Sequence, residues 1–135
     1  DNTLMNAIQE AAGPYGLSDY LPERVTFTLI QWRKANAIHQ WFVTNTQGGV
    51  DKCQETFIST DQLKDLKRVC EEVLDAGLDS QHLSDLLPTT SGCFFGSTEY
   101  DEYYLRQVEY TLDKLNVLLS DPRVEDLWIT YQSSW

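Results

Sequence analysis

Two strand-like stretches near the ends of the chain, with amphipathic segments between them, predict an α+β fold. We expect three to four helices packed on a small antiparallel sheet formed by strands near 24–31 and 126–134. Three observations carry this. Val25, Thr26, Phe27, Thr28, Leu29 and Ile30 are almost all β-branched or aromatic, and Val25, Phe27 and Leu29 share one face of an extended chain. The closing run from Asp126 to Trp135 alternates in the same way. Between them, apolar residues recur at three- and four-residue spacing, the period of a helix with one buried face.

In chain order, Leu4, Met5, Ile8, Ala11 and Ala12 predict a short helix within residues 1–12, ended by Gly13-Pro14. A linker follows to Pro22, so residues 1–22 form an N-terminal helix and linker, and 23–135 the α+β core of a single domain. After the first strand, residues 32–43 predict a helix with Ala35, Ile38 and Phe42 inward, ended by Gln47-Gly48-Gly49. Arg33, Asn36, His39 and Gln40 then fall on a neighbouring polar face. Residues 51–58 are expected to be short and extended. Ser59 and Gln62 have the spacing of a capping box. They open a helix with the stripe Leu63, Leu66, Cys70, Val73 and Leu74, closed by Gly77. Asp79 or Ser80 is placed to cap a shorter helix through Leu83, Leu86 and Leu87, stopped by Pro88. The longest helix is expected from about Asp101 to Leu119. Leu105, Val108, Leu112, Leu115 and Leu119 form its buried face, and Ser120-Asp121-Pro122 ends it.

The run from Thr89 to Tyr104 is the most unusual in the chain. Gly92 and Gly96 bracket Cys93-Phe94-Phe95, and Ser97, Thr98 and Asp101 resemble a capping box at the entry to the long helix. Hydroxyls and free N–H groups at a helix start can meet an anion, whereas Glu99, Asp101 and Glu102 oppose a bare phosphate. The same residues also suit a capped helix preceded by an aromatic plug for the core.

The totals exclude several functions. The formal net charge of −11, from 21 acidic and 10 basic residues, opposes direct binding to a nucleic-acid backbone. It leaves two readings, a solubilising surface or an acidic mimic of nucleic acid. No apolar run reaches the length of a membrane span and no signal peptide is expected. Cys53, Cys70 and Cys93 are odd in number and widely spaced. They suggest neither a disulfide framework nor a metal site, and they fit a reducing cytoplasm. There is no GxSxG, HExxH, phosphate loop or dinucleotide fingerprint, so neither catalysis nor a cofactor is expected.

Several runs together resemble a widespread group of small uncharacterised proteins encoded by bacteriophages and prophages. They are Trp32-Arg33-Lys34-Ala35-Asn36 with Ile38-His39 and Trp41-Phe42-Val43, then Leu86-Leu87-Pro88, then Ser91-Gly92 with the continuous run from Phe94 to Tyr104, and last Tyr131 to Trp135. The resemblance covers about residues 31–135. It implies a setting, the cytoplasm of a bacterial host, and a role in blunting host defence.

Within that setting the residue mixture favours a small binding protein that sequesters a nucleotide-type signalling molecule. Trp32, Phe94, Phe95, Tyr100, Tyr103 and Tyr104 can stack on a base. Arg33, Asn36 and His39 can meet phosphate or base edges. Ser91, Gly92, Gly96, Ser97 and Thr98 supply hydroxyls and backbone N–H groups. The alternative is an acidic protein-binding inhibitor, a nucleic-acid mimic of anti-CRISPR character, whose partner is a host defence protein. The aromatic content also suits a homo-oligomer interface.

Overall fold

The computed structural model of the chain describes residues 3–12, 25–92 and 95–134. Helix α1 spans Thr3–Ala12, α2 Asn36–Thr46, α3 Thr60–Ala76, α4 Leu83–Leu86 and α5 Glu102–Ser120, followed by a 3-10 turn at Pro122–Asp126. Two short strands, β1 (Thr56–Phe57) and β2 (Thr130–Tyr131), pair antiparallel with Thr56 opposite Tyr131 and Phe57 opposite Thr130. The architecture is thus α+β and dominated by helix. The expected linker at 13–22 lies outside the described residues.

Helices α3 and α5 make the most extensive packing in the molecule, and α2 lies against both. Of the expected α3 stripe, Leu63, Leu66, Cys70 and Val73 are buried, joined by Val69, while Leu74 is partly buried. Its start follows from the Ser59 and Gln62 side chains. Gln62 N–H donates to Ser59 Oγ at 3.1 Å, and Ser59 N–H donates to Gln62 Oε1 at 2.9 Å. Together they satisfy two donors that a helix start leaves open.

Helix α5 begins at Glu102, close to the expected Asp101, and its most buried face is turned relative to the expectation. Asp101, not Thr98, is its N-cap, accepting from Tyr104 N–H at 3.0 Å. Thr98 cannot cap it, because the loop holds that stretch: Thr89 Oγ1 donates to the Thr98 carbonyl at 2.8 Å, and Glu99 N–H donates to Ser97 Oγ at 3.0 Å. The fully buried positions are Tyr104, Val108, Thr111 and Leu115, while Leu105, Leu112 and Leu119 are partly buried. Thr111 can enter the core because its hydroxyl is fully used. It donates to the Gln107 carbonyl at 2.7 Å and accepts from Trp32 Nε1–H at 2.8 Å. Tyr104 donates its hydroxyl to the Leu87 carbonyl at 2.8 Å, and burial holds its phenol protonated well above the usual range.

Helix α2 starts four residues later than expected, at Asn36. Lys34 adopts a left-handed backbone with φ 55°, where no helix continues. The Gln31 and Arg33 carbonyls, which a helix would use internally, accept instead from Tyr110 and Tyr103 hydroxyls of α5 at 2.8 and 2.9 Å. Arg33 therefore lies on an extended strap before α2 and shares no helix face with Asn36 and His39. From Asn36 to His39 four successive residues are buried, so α2 is enclosed on most sides. It ends as expected at Gln47, and Gly48 and Gly49, both at positive φ, reverse the chain.

The expected pairing of 24–31 with 126–134 does not occur. Residues 25–31 run extended without a sheet partner, leaving Phe27 59% and Leu29 42% exposed. The partner of 130–131 is the short stretch 56–57, and the contact continues through Ile58 N–H donating to the Ile129 carbonyl at 2.9 Å. Ile58, Ile129 and Tyr131 pack into the core, whereas Phe27 and Leu29 stay exposed. The shorter pairing wins because it buries more.

Two outcomes follow. Thr111→Val leaves the Trp32 indole N–H without its acceptor and is expected to cost about 1–2 kcal/mol in urea unfolding. Most of that loss should disappear in a Trp32→Phe background, where no donor is stranded. Burial pushes the Cys70 thiol up to about 12, with Glu71 adding to the rise. Alkylation at pH 8 followed by peptide mass mapping should therefore label half-buried Cys53 in the native protein and reach Cys70 only after denaturation.

Candidate functional site

The strap and α5 together build an open groove. Tyr103, Gln107 and Tyr110 are spaced by four and three residues, so they lie on one face of α5. The strap Gln31-Trp32-Arg33 runs antiparallel along this face, tied at both ends by the Tyr110 and Tyr103 hydroxyls. These six residues line a cleft of about 370 Å³, open to solvent. A much smaller hollow of about 20 Å³ adjoins it and shares Tyr103 and Gln107. Lys34, Asn36, Ser97 and Glu99 form part of its wall.

The chemistry of the groove is aromatic, amide-bearing and locally cationic. Tyr103 is exposed and Tyr110 half-buried, and both hydroxyls are committed to the strap, so their rings are what remain to offer. Lys114 Nζ sits 5.6 Å from the Tyr110 ring centroid, which places a cation at that end. Arg33 and Lys34 are exposed, and neither side chain has a hydrogen-bond or ion-pair partner among the described residues. Glu99 and Lys34 both line the smaller hollow, so the Tyr103 end carries a carboxylate as well as the Arg33 and Lys34 cations.

The fourteen residues singled out from sequence separate into three groups. Trp32, Arg33 and Tyr103 come together at the groove, and Asn36, Ser97, Tyr103 and Tyr104 line the smaller cavity. A second group serves the loop itself. Asn36, 5% exposed, donates from Nδ2 to the carbonyls of Phe95 and Ser97 at 2.9 and 2.8 Å, and its Oδ1 accepts from Thr90 N–H at 3.0 Å. Tyr100 Oη accepts from Thr89 N–H at 3.1 Å, and the Thr98 carbonyl is likewise engaged. Gly96, at φ 80°, allows the loop to approach Lys34, whose Cβ would lie 3.2 Å from an added methyl. A Cβ at Gly92 would overlap the Phe95 ring at 2.5 Å, so the ring folds back on a position only glycine can fill. Ser91 and Gly92 are exposed at the loop tip, and Phe94 lies outside the described residues.

His39 and Phe95 form the third group, away from the groove. His39 is 8% exposed and sits between Asp51 and Tyr131. Nε2 lies 2.9 Å from Asp51 Oδ2, and Nδ1 lies 2.5 Å from Tyr131 Oη. A carboxylate only accepts, so Nε2 carries the hydrogen, and in the neutral ring Nδ1 accepts from the Tyr131 hydroxyl. Burial, with Asp51 and Cys53 adding to it, holds the Tyr131 phenol protonated, consistent with its role as donor. The Tyr131 ring stacks on Phe42 at 3.9 Å, and Phe95 meets the His39 ring edge-on at 5.2 Å. This chain of groups fastens β2, α2 and the loop.

Gln31, Gln107 and Tyr110 were not singled out as site residues from the sequence. The one available signal was the Tyr103, Gln107, Tyr110 spacing on a helix whose inward face is otherwise aliphatic. Among the described residues no group of three or more His, Cys, Asp or Glu side chains is placed to hold a metal ion, and no helix is long and apolar enough to cross a membrane.

Asn36→Ala removes three hydrogen bonds at once. We expect a loss of about 2–4 kcal/mol in chemical unfolding, since each buried bond contributes about 1 kcal/mol and the groups left behind are partly orphaned. The Thr90 amide should also exchange with deuterium markedly faster, because its acceptor is gone. No family model, curated protein or solved structure matches the chain, and the functional reading rests on the groove itself.

Proposed function

We propose that this chain is a binding protein for a nucleotide-type anion, held in the groove between the strap and α5. The observation that carries the reading is the Arg33 guanidinium, exposed and without a partner among the described residues, beside the Tyr103 and Tyr110 rings. An arginine fork without a carboxylate partner is suited to a phosphate, and phenol rings stack on any base. Gln31 and Gln107 add amides that can pair with base edges. A cleft of about 370 Å³ is at the lower end of the size that ligand sites use. The groove contains no nucleophile paired with a base, so binding without turnover is the simpler reading. The resemblance to phage and prophage proteins supplies a setting, in which the protein withholds a host nucleotide signal and so counteracts host defence in the bacterial cytoplasm.

The test is isothermal titration and thermal shift against mononucleotides, cyclic dinucleotides and ADP-ribose derivatives, with mass spectrometry of the recovered ligand. One class should bind, raise the melting temperature and return intact. Arg33→Ala should weaken that binding by tenfold or more, the loss expected for a charge-assisted contact of about 1.5–3 kcal/mol. Absence of binding across the panel, or equal binding by Arg33→Ala, would overturn the proposal, and a cleaved product would show an enzyme.

A further inference from the structure

The two-stranded sheet has two faces of different character. Successive residues alternate sides, so Thr56, Ile58, Ile129 and Tyr131 turn inward while Phe57, Trp128 and Thr130 turn outward. On the outer face the Phe57 and Trp128 rings lie 4.5 Å apart, 48% and 78% exposed, with Leu127 also exposed beside them. Rings this large at the surface, paired with each other and covered by nothing among the described residues, are uncommon on a protein that works alone.

The charged residues nearest in sequence to Phe57 and Trp128 are acidic. Residues 53–63 and 124–134 contain four charged side chains, Glu55, Asp61, Glu125 and Asp126, all acidic and all exposed. The cations that flank these two segments are Lys52, Lys64 and Arg123, and Arg123 is held by Asp121, with Nη2 2.6 Å from Oδ2. Glu125 is positioned from the β1 side, accepting from Thr60 Oγ1 at 3.1 Å. An apolar aromatic pair with an acidic rim complements an arginine side chain, whose guanidinium stacks on an indole and forks onto carboxylates. A second copy of this chain is disfavoured, because a two-fold contact through this face would bring acidic rims together on bodies that each carry −11.

We propose that the Phe57–Trp128 face is a docking site for a protein partner presenting arginine among apolar residues. It is independent of the nucleotide groove, with which it shares no residue. The occupant lays a guanidinium on Trp128, with Glu125 and Asp126 beside it, and apolar groups on Phe57 and Leu127.

The probe is a fluorescein-labelled peptide of alternating arginine and leucine, followed by fluorescence anisotropy on the full chain at 50 and 300 mM NaCl. Wild type should bind, and more weakly at the higher salt. Trp128→Ala, at an exposed position that leaves the core intact, should weaken binding about fivefold at 300 mM, where diffuse attraction is screened. Glu125→Gln with Asp126→Asn should flatten the salt dependence, whereas Glu71→Gln with Glu72→Gln on α3 should not. The lysine-for-arginine peptide should bind less tightly. Equal binding by wild type and Trp128→Ala would show mere attraction to an acidic surface and overturn the proposal, as would absence of binding. Self-association in sedimentation that Trp128→Ala abolishes would assign the face to a second copy and also overturn it. Nucleotide binding measured on Trp128→Ala keeps this outcome separate from that of the groove.

Discussion

The Asn36 side chain is the constraint on which the rest of the molecule depends. It occupies the first position of α2, is nearly fully buried, and spends every strong hydrogen-bonding position of its amide on the 90–97 loop. That fixes the loop against α2. The loop in turn holds Ser97 and Thr98 out of the α5 helix and sets its start at Asp101. The start of α5 determines which residues face the strap, and hence where Tyr103 and Tyr110 place their hydroxyls. A buried amide is costly when unpaired and directional when paired, so one side chain can propagate register across three segments.

What the sequence made legible was local. The α3 start was readable because Ser59 and Gln62 satisfy a helix start without help from elsewhere, and its stripe because five apolar residues repeat at one period. What it hid was set by distant partners. Phenol hydroxyls 70 and 79 residues away draw the 31–33 carbonyls out of α2, which no pattern within residues 32–43 records. The strand pairing failed for a related reason: 24–31 has the stronger strand composition, but 56–57 can bring Ile58 against Ile129 and the core. The face of α5 turned by one position because Thr111, polar by composition, is made apolar in effect by two hydrogen bonds.

The candidate site was legible in kind more than in place. Aromatic rings beside an arginine were visible in Trp32, Arg33 and Tyr103, and these do assemble. Asn36, His39 and Phe95 have the same ligand-like chemistry, yet the fold uses them internally: an amide clamp, and an imidazole bridging a carboxylate and a phenol. A sequence shows a side chain's capacity for hydrogen bonds and not whether the fold has already used it.

The strap has one more consequence. Gln31 and Arg33 are tied down by two phenol hydroxyls near the surface, with the Trp32 indole as the deeper anchor between them. One wall of the groove is therefore a segment held to α5 by three side-chain hydrogen bonds, and the groove exists only while that segment is docked. Occupancy of the groove and closure of the strap share one equilibrium, so whatever fills the cleft also latches the chain that precedes it. If the cleft binds a ligand as proposed, protease cleavage within residues 25–30, outside the cleft lining, would slow as the site fills.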